Sequence, residues 1–365
     1  MKVTFPHLGN VYIAAKALFQ GLGIECVIPP LSNKAALEIG SLYSPEEICL
    51  PFKIQLGNYI QSIEQGADTV IITGSCGPCR FGEYGEMQMN ILRKLGYDVK
   101  FIVADSPSDI GIRELFKRIG YMTAYSNKNK IQKIKSLFDA IKIIELMDSV
   151  EGEARYKSGF ELRKGECKRL LNKCKSEAFN AESPGEMIEV IQHYNEKIKN
   201  VEFDAQKNPI KVAVIGEIYT IIEPFSNLYI EDRLMEMGVS TKRRLTPSWW
   251  VKNTALSPLG LNSMDIKKAS KDYMALCIGG HARECIGEAV LAKEDGFDGA
   301  IQIFPLGCMP EIVSKAILPK ISKDLGLPIM TLVVDEMTGE AGYLTRVEAF
   351  IDLLERRRED VLSRC

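Results

Sequence analysis

Short runs of consecutive apolar residues recur along the chain, and each is followed by a glycine- or proline-marked turn and a stretch with helical spacing. A run without polar alternation buries both of its faces, as a strand inside a parallel sheet does. Val3 to Phe5, Ile24 to Ile28, Asp68 to Thr73 and Asp98 to Ala104 have this character in the first hundred residues. Helical patterns lie between them. Val11 to Gln20 stops at Gly21 and Gly23, a helix runs from about Pro51 to Gln65, and Tyr84, Met87, Ile91, Leu92 and Leu95 mark one helix face ending at Gly96. Ser44-Pro45-Glu46-Glu47 and Leu50-Pro51 both read as helix starts, because proline at a first helical position lacks only an amide that has no partner there. The order βαβα predicts a parallel, doubly wound lobe over 1–108.

Strand signals fade over 109–209, where helical periodicity dominates. Ser183-Pro184-Gly185-Glu186 fits a capping box. The basic run Arg163, Lys164, Lys168, Arg169, Lys173, Lys175 suits either a phosphate-bearing ligand or a solvated helix face. Alternation resumes in 210–365. Val212 to Gly216, a region before Trp249 and Trp250, Ala275 to Gly280, Ala300 to Pro305 and Ile329 to Val334 are the expected strands, with a helix around Leu228 to Met237. The fold class is therefore α/β, two doubly wound Rossmann- or flavodoxin-like lobes with a helical insertion or bridge in the chain between them. Two such lobes imply a cleft. Ligands of open α/β sheets sit beyond the carboxyl ends of strands, so chemistry is sought just after each strand.

The chain has 365 residues, with 46 basic and 48 acidic side chains, a balance that favours neither a nucleic-acid surface nor an anionic membrane. The first residues have neither the basic start nor the apolar core of a signal peptide, and no apolar run approaches the roughly 18 residues of a membrane span. A cytoplasmic location is expected. In a reducing compartment the ten cysteines are either small buried hydrophobes or metal and redox ligands.

Position sorts them. Cys76 and Cys79, in Gly74-Ser75-Cys76-Gly77-Pro78-Cys79, follow the expected strand at Asp68 to Thr73 and precede a helix. Cys308, in Pro305-Leu306-Gly307-Cys308-Met309-Pro310-Glu311, follows another strand and precedes another helix, and Cys49 precedes the helix start at Leu50-Pro51. Helix N-termini lower thiol pKa and favour the thiolate that binds metal. Cys49, Cys76, Cys79 and Cys308 thus suit a [4Fe–4S] cluster in the cleft. CGPC is equally the redox motif of thioredoxins, and four cysteines equally suit a structural zinc, although zinc sites usually close a local loop with two CxxC-like pairs. Cys277, inside the expected strand Ala275 to Gly280, reads as core. Cys167 and Cys174 share one helix face, Cys26 lies in a strand and Cys365 is terminal. Cys285 and His281 follow the same expected strand. His281 is the candidate catalytic residue, placed to donate to a cluster sulfur or a substrate. There is no GxGxxG, phosphate-loop Gly-Lys, HExxH or GxSxG.

The segments Glu47 to Lys53, Gly74 to Gly82, Gly279-Gly280-His281, Pro305 to Glu311 and Asp335 to Gly342 together resemble the 2-hydroxyacyl-CoA dehydratase superfamily, in particular its stand-alone branch related to acyl-CoA dehydratase activases. The resemblance runs over both α/β lobes and is least specific in the helical middle. It implies an oxygen-sensitive iron–sulfur protein that receives a low-potential electron from an actin-like-fold ATPase activator carrying its own [4Fe–4S] cluster, and a homodimer. It also implies Cys49, Cys76, Cys79 and Cys308 as ligands. The family's dehydratases hold their catalytic cluster with three cysteines per subunit and leave one iron open. Four thiolates depart from that pattern and favour an electron-accepting or small-molecule-reducing component over a true dehydratase subunit or a non-enzymatic cluster carrier. A double-cubane [8Fe–9S] cluster would recruit Cys285 or Cys277 as well.

Overall fold

The strands and helices follow from local sequence, but their neighbours in space do not. A computed structural model of the protein describes residues 1–74, 79–104 and 111–362. In chain order it begins β1 (Lys2–Thr4), α1 (Val11–Leu22), β2 (Glu25–Cys26), α2 (Lys34–Tyr43), α3 (Leu50–Glu64), β3 (Thr69–Thr73), a 3-10 turn (Arg80–Glu83), α4 (Tyr84–Lys94), β4 (Lys100–Ala104) and α5 (Ile112–Ala124). Long helices follow, α6 (Lys130–Lys157), α7 (Glu166–Asn180) and α8 (Pro184–Lys199). The chain continues with β5 (Lys211–Gly216), α9 (Ile218–Ile222), α10 (Ile230–Glu236), β6 (Ser240–Lys242), α11 (Pro247–Leu256), α12 (Met264–Ser270), α13 (Ala282–Glu294), β7 (Gly299–Pro305), α14 (Met309–Leu325), β8 (Ile329–Val334) and α15 (Glu340–Leu362). Among the described residues no helix is long and apolar enough to cross a membrane.

The protein is α/β, with two four-stranded, all-parallel sheets flanked by helices. The strand orders are β2-β1-β3-β4 and β6-β5-β7-β8, so both sheets reverse direction of winding after their second strand. Each reversal leaves a crevice at the carboxyl ends, between β1 and β3 in one sheet and between β5 and β7 in the other. Every residue of β7 is buried, as expected of a central strand covered on both faces. One compact unit comprises 1–151, 171–197 and 246–262, and the other 152–170, 198–245 and 263–365. The helical stretch 109–209 is thus divided between them.

In the first unit, α3 is buried almost all round, from Leu50 to Ile60. It achieves this by backbone contact with α2. A Cβ at Gly57 would lie 1.8 Å from the Ala36 carbonyl oxygen, and one at Gly40 would lie 1.7 Å from that of Lys53. Alanine in an exposed helix interior gains up to about 1 kcal/mol over glycine. At Gly57 the overlap is with backbone and wins, so Gly57→Ala should cost about 3 kcal/mol. A urea midpoint unchanged from the wild type would refute this.

Three expectations are corrected. Ala275 to Gly280 is not a strand: Gly279 and Gly280 have φ of 84° and 57°, and Leu276 is 77% exposed. Cys277 is consequently exposed rather than core. Ser44-Pro45-Glu46-Glu47 forms a turn, and the helix of this region is α2, which ends before it. The capping box at Ser183 is present with a one-residue offset. The Glu186 N–H donates to Ser183 Oγ at 3.2 Å, while the Glu186 carboxylate accepts from the Glu182 N–H at 2.8 Å.

Candidate functional site

In the first unit the relevant turns lie next to one another. Cys49 is the N-cap of α3, with Pro51 in the first turn, and Cys79 is the N-cap of the 3-10 turn. Arg80 Nη1 donates to the Glu47 carbonyl at 2.9 Å, which ties the turn after β3 to the segment before Cys49. The Cys49 sulfur is hydrogen-bonded to Tyr84 Oη, and the Tyr84 ring is held edge-on by Phe52 and Phe81 with centroids 5.0 and 5.1 Å away. Lys53, one turn into α3 and buried, donates to the Glu46 carbonyl at 3.1 Å. The thiol thus sits among aromatic rings, with a cation within the same helix turn. Cys76 lies outside the described residues.

Two residues here were not found from sequence. The sequence marks Tyr84 only as part of a helix face, since nothing in a linear reading predicts its hydrogen bond to a cysteine 35 positions earlier. His7 follows β1 directly and is buried, stacked on Tyr12 with centroids 5.4 Å apart. The rule that chemistry follows strand ends would have selected it.

In the second unit Cys308 is the N-cap of α14 and His281 the N-cap of α13. Their turns touch. Gly280, in a left-handed conformation, lies so close to the first turn of α14 that a Cβ would stand 2.4 Å from Pro310 Cγ. Below Cys308, the buried Glu311 carboxylate accepts from Gln302 Nε2 at 2.9 Å and Ser314 Oγ at 2.8 Å. Burial pushes the Glu311 carboxyl up to about 7, against the opposing effect of those hydrogen bonds.

Burial pushes the thiols of Cys26 and Cys174 up to about 12 and raises those of Cys167 and Cys285 as well. They are poor thiolate sources, and Cys285 belongs to the hydrophobic core of the second unit. Cys277 is exposed on the loop before α13, and Cys365 lies outside the described residues. Much of the basic run is engaged by acids: Lys168 with Glu236 at 2.8 Å, Lys175 with Glu151 at 3.1 Å, and Arg169 with Glu166 at 3.6 Å. That pattern is a charge-paired helix face.

Among the described residues no group of three or more His, Cys, Asp or Glu side chains is assembled for a metal ion. The proposed ligand set includes Cys76, which lies outside them. The donor chemistry nevertheless fits an iron–sulfur group: thiols at helix N-caps, with apolar walls and backbone N–H groups at hand. No protein-family model matches the chain, and no curated protein matches it either.

Proposed function

We propose that the protein is an iron–sulfur protein that accepts low-potential electrons from an ATP-hydrolysing activator and acts as a reductase- or dehydratase-like component. The observation that carries this reading is the placement of Cys49, Cys79 and Cys308 at helix or 3-10 N-caps flanking the third strands of the two sheets, where ligands of such sheets collect. Cys49, Cys76, Cys79 and Cys308 would hold a [4Fe–4S] cluster. When bound, such a cluster supplies a one-electron acceptor. The chain's own residues do the rest: Tyr84 bonds to the Cys49 sulfur, Phe52 and Phe81 hold Tyr84 in place, and Lys53 brings positive charge to the Cys49 turn. The reading places the protein in the reducing cytoplasm, partnered by an actin-like ATPase. Its substrate is not specified by these residues.

Anaerobic purification followed by iron and sulfide determination and EPR of the reduced protein tests this. About four irons per chain are expected, with marked loss in Cys49→Ser, Cys79→Ser and Cys308→Ser. A colourless, iron-free protein would overturn it. A shift in the EPR signal on adding a CoA thioester would favour a dehydratase subunit instead, and transfer of intact cluster to an apo-acceptor without any reduction would favour a carrier.

A further inference from the structure

The first half of α6, in the first unit, carries apolar residues on two opposite faces. Ser136, Ala140 and Ile143 form the inner face and are buried. Ser136 packs on α1, where a Cβ at Gly21 would stand 2.5 Å from its Oγ. Ile131, Ile134, Phe138 and Ile141 repeat a three- and four-residue spacing on the outer face. Ile131 is 80% and Phe138 65% exposed, so a contiguous apolar row faces outward, and such a row marks an interaction surface. The segment that carries it is firmly built. The Gln132 N–H donates to Asn129 Oδ1 at 2.9 Å, the Asn129 N–H donates to Gln132 Oε1 at 3.1 Å, and Lys133 Nζ donates to the Thr123 carbonyl at 2.7 Å. That last bond holds the end of α5, with the exposed edge-on rings of Tyr121 and Tyr125, beside the first turn of α6. Lys128, Lys130, Lys135 and Lys142 are exposed around the row, while Asp139 is the one acid between 126 and 144.

We propose that this face docks on an anionic lipid surface, with Ile131, Ile134 and Phe138 entering the headgroup layer and the lysines meeting its phosphates. Charge and shape decide the occupant. A second copy would pair the row with itself and lay Lys135 and Lys142 against lysines or apolar side chains, with Asp139 alone to offset them. The outward face of a single helix is a ridge, whereas a docked helix or small ligand lies in a groove. An apolar ridge flanked by lysines is the form of an interfacial helix. Tyrosines, apolar with a polar tip, are at home at the same depth. The near-neutral total of 46 bases and 48 acids conceals the patch, because attraction to a charged surface falls off within a Debye length and only the local charge counts. Ser126 Oγ donates to the Leu22 carbonyl, and a Cβ at Gly23 would stand 3.2 Å from Asn127 Oδ1. Those contacts place the start of α6 at the amino end of β2, the opposite end of the parallel sheet from the Cys79 turn, which follows β3. Docking there leaves that turn accessible.

The test is co-sedimentation of the full-length protein with phosphatidylcholine vesicles prepared with and without phosphatidylglycerol. Binding is expected only when phosphatidylglycerol is present, and it should weaken as salt is raised. The double variant Ile134→Ser/Phe138→Ser should lose it. Lys135→Ala/Lys142→Ala should lower it by roughly tenfold or more, since each lysine near such a surface contributes about fivefold. Both variants replace exposed side chains, and a urea midpoint equal to that of the wild type confirms that each is folded. A wild type that binds neither vesicle overturns the proposal and returns the face to a protein partner. Binding that both variants retain overturns it as well. So does light scattering that shows a wild-type dimer dissociated by Ile134→Ser/Phe138→Ser, which gives the face to a second copy.

Discussion

Glu231→Gln should destabilise the second unit by about 3–5 kcal/mol, because it removes the shared counter-charge of two buried arginines. One oxygen of Glu231, on α10, accepts from both Arg155 Nη1, on α6, and Arg243 Nη1 after β6, the latter at 2.6 Å. All three side chains are at most 6% exposed. Arg243 Nη1 also donates to the Ile221 carbonyl at 2.6 Å, so it is anchored and cannot swing out to water. A glutamine keeps the shape and loses the charge, leaving two guanidinium groups facing each other in a poorly solvated interior. Replacing all three residues by apolar ones of similar volume should recover much of the loss, since desolvating ions is itself costly. Urea unfolding followed by a probe in the second unit measures both. A Glu231→Gln variant within about 0.5 kcal/mol of wild type, the range of an ordinary surface substitution, would refute the account.

The second large effect is a pH dependence. Burial raises the Glu311 carboxyl from an ordinary 4.5 to about 7 and raises Glu288 well above its ordinary value. Both oxygens of Glu288 are buried without a hydrogen-bond partner, and Arg244 and Arg243 only partly offset the cost. In the unfolded chain both acids ionise near 4.5, so above that pH the folded state binds more protons than the unfolded. Stability from these groups is therefore complete below about pH 4.5 and falls as pH rises, through about pH 7 for Glu311 and beyond that for Glu288. For Glu311 the loss is on the order of 3 kcal/mol across its window. Glu311→Gln should flatten the decline up to about pH 7, and Glu288→Gln should stabilise most at higher pH. Urea midpoints of metal-free protein across this range test it. Profiles parallel to the wild type would show that these carboxyls carry no such linkage.

The company each cysteine keeps is decided by the tertiary structure. Cys26 and Cys285 illustrate it. From sequence both are simply in or near strands, and Cys285 is a ligand only for a double-cubane cluster. The fold places Cys285 in the core of the second unit and pushes its thiol up by burial, so its neighbours rather than its spacing decide its chemistry. Cys277 errs in the opposite direction. ALCIGG has the composition of a buried strand, yet two consecutive left-handed glycines and the press of Gly280 on Pro310 turn it into an exposed loop.

What was legible in the chain was whatever depends on neighbours a few residues away. Uninterrupted apolar runs such as Thr69–Thr73 and Ile329–Val334 announce strands buried on both faces, prolines at Pro51 and Pro310 announce helix starts, and strands alternating with helices announce parallel sheets. The positions of Cys49, Cys79 and Cys308 at helix starts follow from the same local signals. Strand order does not, because β1 pairs with β3 across 60 or more residues and no local signal records that pairing. The tertiary structure alone put Tyr84 on Cys49, crossed α2 and α3 through two glycines, set Glu231 between two arginines, and seated Gly280 against Pro310 in the turn after Cys308. Each of these is a contact between distant segments, chosen by the packing and burial of whole elements rather than by the preferences of the residues that meet there.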